Sequence, residues 1–117
     1  MLSTQNRLRD PELFKKAFRL GNRAGNAKLV VHAVTGEVSE TERLVGFVVP
    51  KKVFKRAVSR NRVKRQLRHL MRERVNDLPP STVLVVRVLA GAREADYAEL
   101  EKSLDKALAK VFRRSGQ

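Results

Sequence analysis

From Ser59 to Val75 the chain sets Val63, Leu67, Leu70 and Met71 at three- and four-residue intervals and fills the positions around them with polar, mostly cationic side chains. That spacing is the repeat of one face of an α-helix. The apolar stripe is narrow, so the helix depends on burying it against another layer that the rest of the chain has to supply. At about 100° per residue, Arg62, Arg65, Arg68, His69 and Arg72 project from the opposite side, with Asn61 beside them and Lys64 nearer the flank. Like charges four residues apart on a helix repel by roughly 0.2–0.5 kcal/mol per pair, so the arrangement does nothing for the helix in isolation. A polyanion that neutralises the ridge would account for it.

Between Lys51 and Arg74 eleven Lys and Arg residues face a single acid, Glu73, so this stretch holds +10 of a net charge of +14 and leaves +4 for the rest of the chain. A mixed-charge helix face is ordinarily just solvated, and the near absence of acid argues against that here. Arginine outnumbers lysine in the helix, as phosphate recognition favours: guanidinium stays charged, presents forked donors and stacks on exposed bases. Nucleic acid fits better than an anionic membrane, because basic membrane helices usually carry exposed Trp or Phe and the chain has no Trp.

A length of 117 residues, 42% of them hydrophobic, suits a single core and one domain over 1–117. With no cysteine there is no disulfide framework, thiolate zinc site or redox centre, which suits a reducing compartment. The polar start, Met1 to Arg9, has no apolar core, and no apolar run is long enough to span a bilayer. A cytoplasmic protein with no membrane partner is expected.

Asp10-Pro11-Glu12 reads as a helix start, with a capping Asp, a Pro tolerated in the first turn and an acid that suits the macrodipole, and Gly21 as its stop. Leu13, Phe14, Ala17 and Phe18 form its apolar face. Lys28 to Thr35 and Arg43 to Val49 are Val-rich strands that read as an antiparallel pair joined through Gly36 to Glu42. A third strand, Val83 to Leu89, follows the Pro79-Pro80 break. The last helix runs from Asp96 to about Arg113, with Asp96 and Glu99 as a capping box and Tyr97, Leu100, Leu104, Leu108 and Val111 on one face. Local sequence therefore yields an α+β fold with three strands.

The run VGFVVPKKVFKRAVSRNRVKRQLRHLMRE, centred on Arg60-Asn61-Arg62, resembles the signature of the bacterial ribonuclease P protein subunit. Gly46, the Lys51-Lys52 pair, Ala57-Val58, Lys64-Arg65 and Leu67-Arg68 fall where that family's pattern has them, making 46–74 the motif segment. Asn6-Arg7-Leu8, Phe14, Phe18 and Gly21 extend the similarity over nearly the whole chain. The resemblance implies the order α-β-β-β-α-β-α, a four-stranded sheet packed by helices, and a left-handed crossover from the third strand through the basic helix to the fourth. The additional strand would lie near Arg23 to Gly25.

It also implies a subunit of a ribonucleoprotein endoribonuclease that removes the 5′ leader of precursor tRNA, with the RNA holding the catalytic Mg2+ and the chain alone non-catalytic. Lys51, Lys52, Arg60, Asn61, Arg62, Lys64, Arg65 and Arg68 would face the catalytic RNA. Phe14, Phe18, Lys28 and His32 would line a cleft for the single-stranded leader. Periodicity alone assigns Phe14 and Phe18 to the core, as apolar stripes normally pack inward; the resemblance assigns them to the cleft. His32 occupies a strand position usually aromatic in the family, Pro50 one commonly Ser, and Phe54 one commonly Gly.

No paired carboxylates or histidine pair suggests a self-sufficient nuclease, and no metal-ligand cluster is visible. A structural RNA-binding protein, such as a ribosomal component, would share the charge and the fold class, and only the motif separates the two. A helix-turn-helix DNA-binding protein needs a helix directly before the basic one, where Leu44 to Val49 reads as strand, so DNA is not expected as a partner.

Overall fold

The computed structural model describes residues 2–115, with side chains as far as Arg113. A short 3-10 turn at Thr4–Asn6 leads into α1 (Pro11–Leu20), β1 (Asn22–Gly25), β2 (Leu29–Thr35) and β3 (Arg43–Val48). Then come α2 (Ala57–Arg72), a 3-10 turn at Val75–Asp77, β4 (Thr82–Val88), another at Ala90–Ala92, and α3 (Tyr97–Ser115). This is the expected α+β order, and the strand that local sequence did not reveal lies at Asn22–Gly25.

The ends of α1 and α3 follow the sequence closely, whereas α2 begins two residues before the expected Ser59 and stops at Arg72, leaving Val75 to the 3-10 turn that follows. Asp10 Oδ1 accepts the Glu12 N–H at 2.9 Å at the start of α1. For α3, Asp96 Oδ1 accepts from Glu99 N at 2.8 Å and Glu99 Oε1 from Asp96 N at 3.1 Å, both bonds of a capping box. Gly21 stops α1 for a steric reason: a Cβ there would lie 2.5 Å from the Ala17 carbonyl oxygen and 2.7 Å from that of Ala33. Glycine lets the chain leave the helix hard against β2.

The sheet order is β1-β2-β4-β3, with β2 antiparallel to both β1 and β4, and β3 parallel to β4. The expected antiparallel pairing of Lys28–Thr35 with Arg43–Val49 is therefore corrected: β4 lies between them. The reason is burial. Six of the seven residues of β4 are buried, so it is covered on both faces and takes a partner at each edge, whereas β3 is only half-buried at most positions and suits an edge. Ser81 secures the arrangement, holding a left-handed φ of 65° while its Oγ accepts from Gly36 N at 3.1 Å and donates to Val38 O. The loop after β2 is thereby tied to the start of β4. Parallel neighbours need a connection across the sheet face, and α2 provides it between β3 and β4.

Two apolar clusters result. The larger lies between one sheet face and α2 with α3, and includes Val31, Leu84, Val86, Leu67, Leu70, Met71 and Leu104. The smaller, under α1, joins Leu8 and Ala17 to Val83 and Val85, with Leu13, Phe14 and Leu44 around it. The layers are thus α1, sheet, then α2 with α3. The radius of gyration, 13.2 Å, is close to the ~13 Å expected of a folded chain about this long.

Candidate nucleic-acid interface

The apolar stripe of α2 packs as its spacing predicts: Val63, Leu67, Leu70 and Met71 are all buried. Their burial fixes the rotation of α2 and thereby the direction of its cations. Asn61, Arg62, Arg65, His69 and Arg72 are exposed, and Lys64 and Arg68 are half-buried. The first turn of α2 contains no acid, and Arg56 at its N-cap makes no side-chain capping bond. The positive end of the helix dipole therefore adds to the side-chain charge instead of being offset.

The cations do not form one uniform patch. Lys64 and Arg68 line a groove of about 220 Å³ at the β3 edge, facing Arg7, Arg9 and Phe14. Arg62 lines a separate cavity on the α3 side. Lys51 and Lys52 lie exposed in the turn after β3. That turn is held from outside the motif: Arg93 donates from Nε to Val53 O at 2.8 Å and from Nη2 to Lys52 O at 3.2 Å.

Arg60 differs from the other motif cations. Its Nη1 donates to the carbonyls of Phe54 at 2.8 Å and Lys55 at 3.0 Å, turned back on the loop that leads into α2. Helical spacing explains this, since Arg60 lies three and seven residues before Val63 and Leu67 on the inward side. Asn6 has a similar role, donating from Nδ2 to Arg43 O at 2.9 Å and securing the N-terminal segment along β3.

On the α1 side of the sheet one cross-strand row reads Arg23, His32, Val85, Gly46. Phe14 and Phe18, one helical turn apart, sit over it. The Phe14 ring lies so close to Gly46 that a Cβ there would be 2.5 Å from its Cζ. Phe18, 39% exposed, meets His32 edge-on at a centroid distance of 4.7 Å. Burial first, then Arg23 and Arg87, hold the His32 pKa below the ordinary histidine value. Its Nδ1 is buried without a hydrogen-bond partner. Phe14, Phe18 and His32 are thus brought together, whereas Lys28 lies apart, in a hollow with Glu99, Lys102 and Lys106 of α3.

Sequence reasoning missed Arg23 and Arg87, which approach His32 only once the strands are in register. It also placed Tyr97 on the apolar face of the last helix. In the structure Tyr97 is 37% exposed, with its ring 6.2 Å from that of His69. As the first residue of α3 it lies beyond the end of the core. Among the described residues no three His, Cys, Asp or Glu side chains gather as a possible metal site, and no helix is long and apolar enough to cross a membrane.

A dense cationic helix on one side of an α+β sheet, and a Phe14–Phe18–His32 cluster with arginines near it on the other, define an RNA-binding protein. The family model described as Ribonuclease P matches residues 2–111. A ribonuclease P protein component from Nocardioides sp. is 52% identical over 112 residues, covering 95% of each chain. One from Streptomyces avermitilis is 50% identical over 119 residues, covering 96% of each. The chain belongs to the ribonuclease P protein family, whose members are subunits of a ribonucleoprotein endoribonuclease. Family membership decides against the ribosomal alternative, and strand β3 stands where a helix-turn-helix would need its first helix. The fold matches the RNase P protein of Staphylococcus aureus, with a TM-score of 0.79 at 24% identity over 92% of this chain and 97% of that one. It also matches that of Thermotoga maritima, with a TM-score of 0.72 at 24% identity over 92% and 96%.

Proposed function

We propose that the chain binds the catalytic RNA of ribonuclease P through the outward cations of α2 and the 5′ leader of precursor tRNA in the cleft under α1. Endonucleolytic removal of the leader then gives the mature tRNA 5′ end. The observation that carries this reading is the groove in which Lys64 and Arg68 face Phe14. Cations of the motif helix and an aromatic of the cleft share one surface, so two RNA segments brought to it would be held side by side. Asn61, Arg62 and Arg65, with Lys51 and Lys52, would take phosphates of the catalytic RNA, while Arg60 orders the loop between them. Leader bases would stack on Phe14 and Phe18 beside His32, each stack contributing roughly 1–3 kcal/mol. Lys28 would reach the leader only beyond this cleft. Mg2+ for hydrolysis would be held mainly by the RNA. The chain's own part is to position substrate and screen charge, in the cytoplasm where tRNA precursors are made.

Reconstitution with a bacterial ribonuclease P RNA at low Mg2+ tests the reading. Cleavage of precursor tRNA should require both components, and Phe18→Ala should weaken binding of precursor tRNA about tenfold with little effect on mature tRNA. Cleavage by the protein alone, or equal losses on both tRNAs, would contradict it.

A further inference from the structure

On the face of α2 away from the leader cleft, a cavity of about 680 Å³ opens between the start of α2 and the start of α3. Its volume lies within the roughly 300–1,000 Å³ of sites that take small organic ligands. Phe54, Val63 and Leu100 give it a buried apolar floor, and Lys55, Arg56 and Arg62 a cationic rim. Two acids also line it, Glu94 and Asp96, and the Asp96 carboxylate is already engaged in capping α3. His69 follows Gln66, another lining residue, by one turn along the same edge of α2, and Tyr97 follows Asp96. The His69–Tyr97 ring pair therefore extends the same margin.

Apolar floor, cationic rim and an exposed aromatic pair complement a nucleotide, which presents flat apolar faces and a phosphate. His69 lies seven positions after Arg62, roughly 10 Å along the helix axis, which is room for more than one nucleotide. A peptide segment would gain little from so many cations, whereas stacking beside a positive groove is the usual means of holding unpaired RNA.

We propose that this cavity and the His69–Tyr97 pair bind a short unpaired segment of the catalytic RNA, one base stacked on Tyr97 and the adjoining backbone running along the rim to Arg62. The inference rests on the reading that α2 faces that RNA, and adds a site separate from the leader cleft. In it Tyr97 supplies a ring face and Arg62 a charge, so the two contribute differently to affinity and to its dependence on salt.

The test assembles the full chain with the catalytic RNA and compares Tyr97→Ala, Tyr97→Phe and Arg65→Ala. Tyr97→Ala should raise the Kd about tenfold, in line with the loss of one stacked base, and leave the slope of affinity against salt unchanged. Tyr97→Phe should keep the original affinity. As the chain has one Tyr and no Trp, its emission reports on this ring alone, and should be quenched on RNA binding after correction for RNA absorbance. That measurement uses the unmodified protein and does not depend on how the variants fold. Unaltered affinity in Tyr97→Ala, equal loss in Tyr97→Phe, or unquenched emission would overturn the proposal. If Arg65→Ala weakens binding while Tyr97→Ala does not, this site falls and the role of α2 stands. If neither weakens binding, the role of α2 falls as well. A protein docked here would leave both RNA affinity and emission unaffected, and so counts against it.

Discussion

His32 and Gly46 occupy the same row of the sheet, and each explains a feature of the sequence that spacing alone did not. Gly46 is where the Phe14 ring rests on the strand, so the glycine of the motif segment is there to admit an aromatic from α1. His32 meets Phe18, and burial with two nearby arginines favours its neutral form. A histidine whose folded pKa is depressed gives stability that is fully present above its unfolded value near 6.5 and lost as pH falls through the folded value. Thermal unfolding compared at about pH 7.5 and about pH 5.5 should show a lower midpoint in acid, and His32→Phe should reduce the difference. An undiminished difference in the variant would place the titrating group elsewhere. Position 32 was legible from the family pattern, but its neighbours Arg23 and Arg87 were not, because cross-strand contacts depend on a register that no single strand encodes.

Helix α2 is the element whose two faces were most completely legible, since a 3.6-residue repeat depends only on neighbours in the chain. All four residues of its apolar stripe are buried, and Leu67 is fully so. Leu67→Ala should cost roughly 2–5 kcal/mol of stability through lost packing and the cavity left behind. Arg65→Ala, on the exposed face, should stay within about 0.5 kcal/mol. Denaturant unfolding of the two variants separates the faces, and comparable losses would mean that the helix is rotated from the orientation described. The strands were less transparent. Three were recognised by composition, but β1, only four residues long, has no apolar alternation to reveal it. The partner of β3 could not be read locally either, because β4 lies 34 or more residues further along the chain and enters the sheet only after α2 has crossed it.

For the molecule as a whole, the excess of positive charge dominates long-range behaviour. If the five outward or flanking cations of α2, Arg62, Lys64, Arg65, Arg68 and Arg72, neutralise about five phosphates, log affinity for the RNA should fall with log salt at a slope of roughly −3.5 to −4.5. Titrations at several salt concentrations give this slope, and a value shallower than about −1 would remove α2 as the RNA-facing element. The sequence by itself determined the three helices, the caps of α1 and α3, the inward stripe of α2 and the concentration of charge along one segment, because each arises from residues near one another in the chain. Only the tertiary structure decided that β4 separates β2 from β3, that Arg60 turns inward, and that Lys64 and Arg68 share a groove with Phe14. It also set Lys28 beside α3 instead of with Phe14, Phe18 and His32, and left Tyr97 exposed beside His69. These outcomes depend on which distant surfaces bury one another, and that competition is settled by the whole core at once.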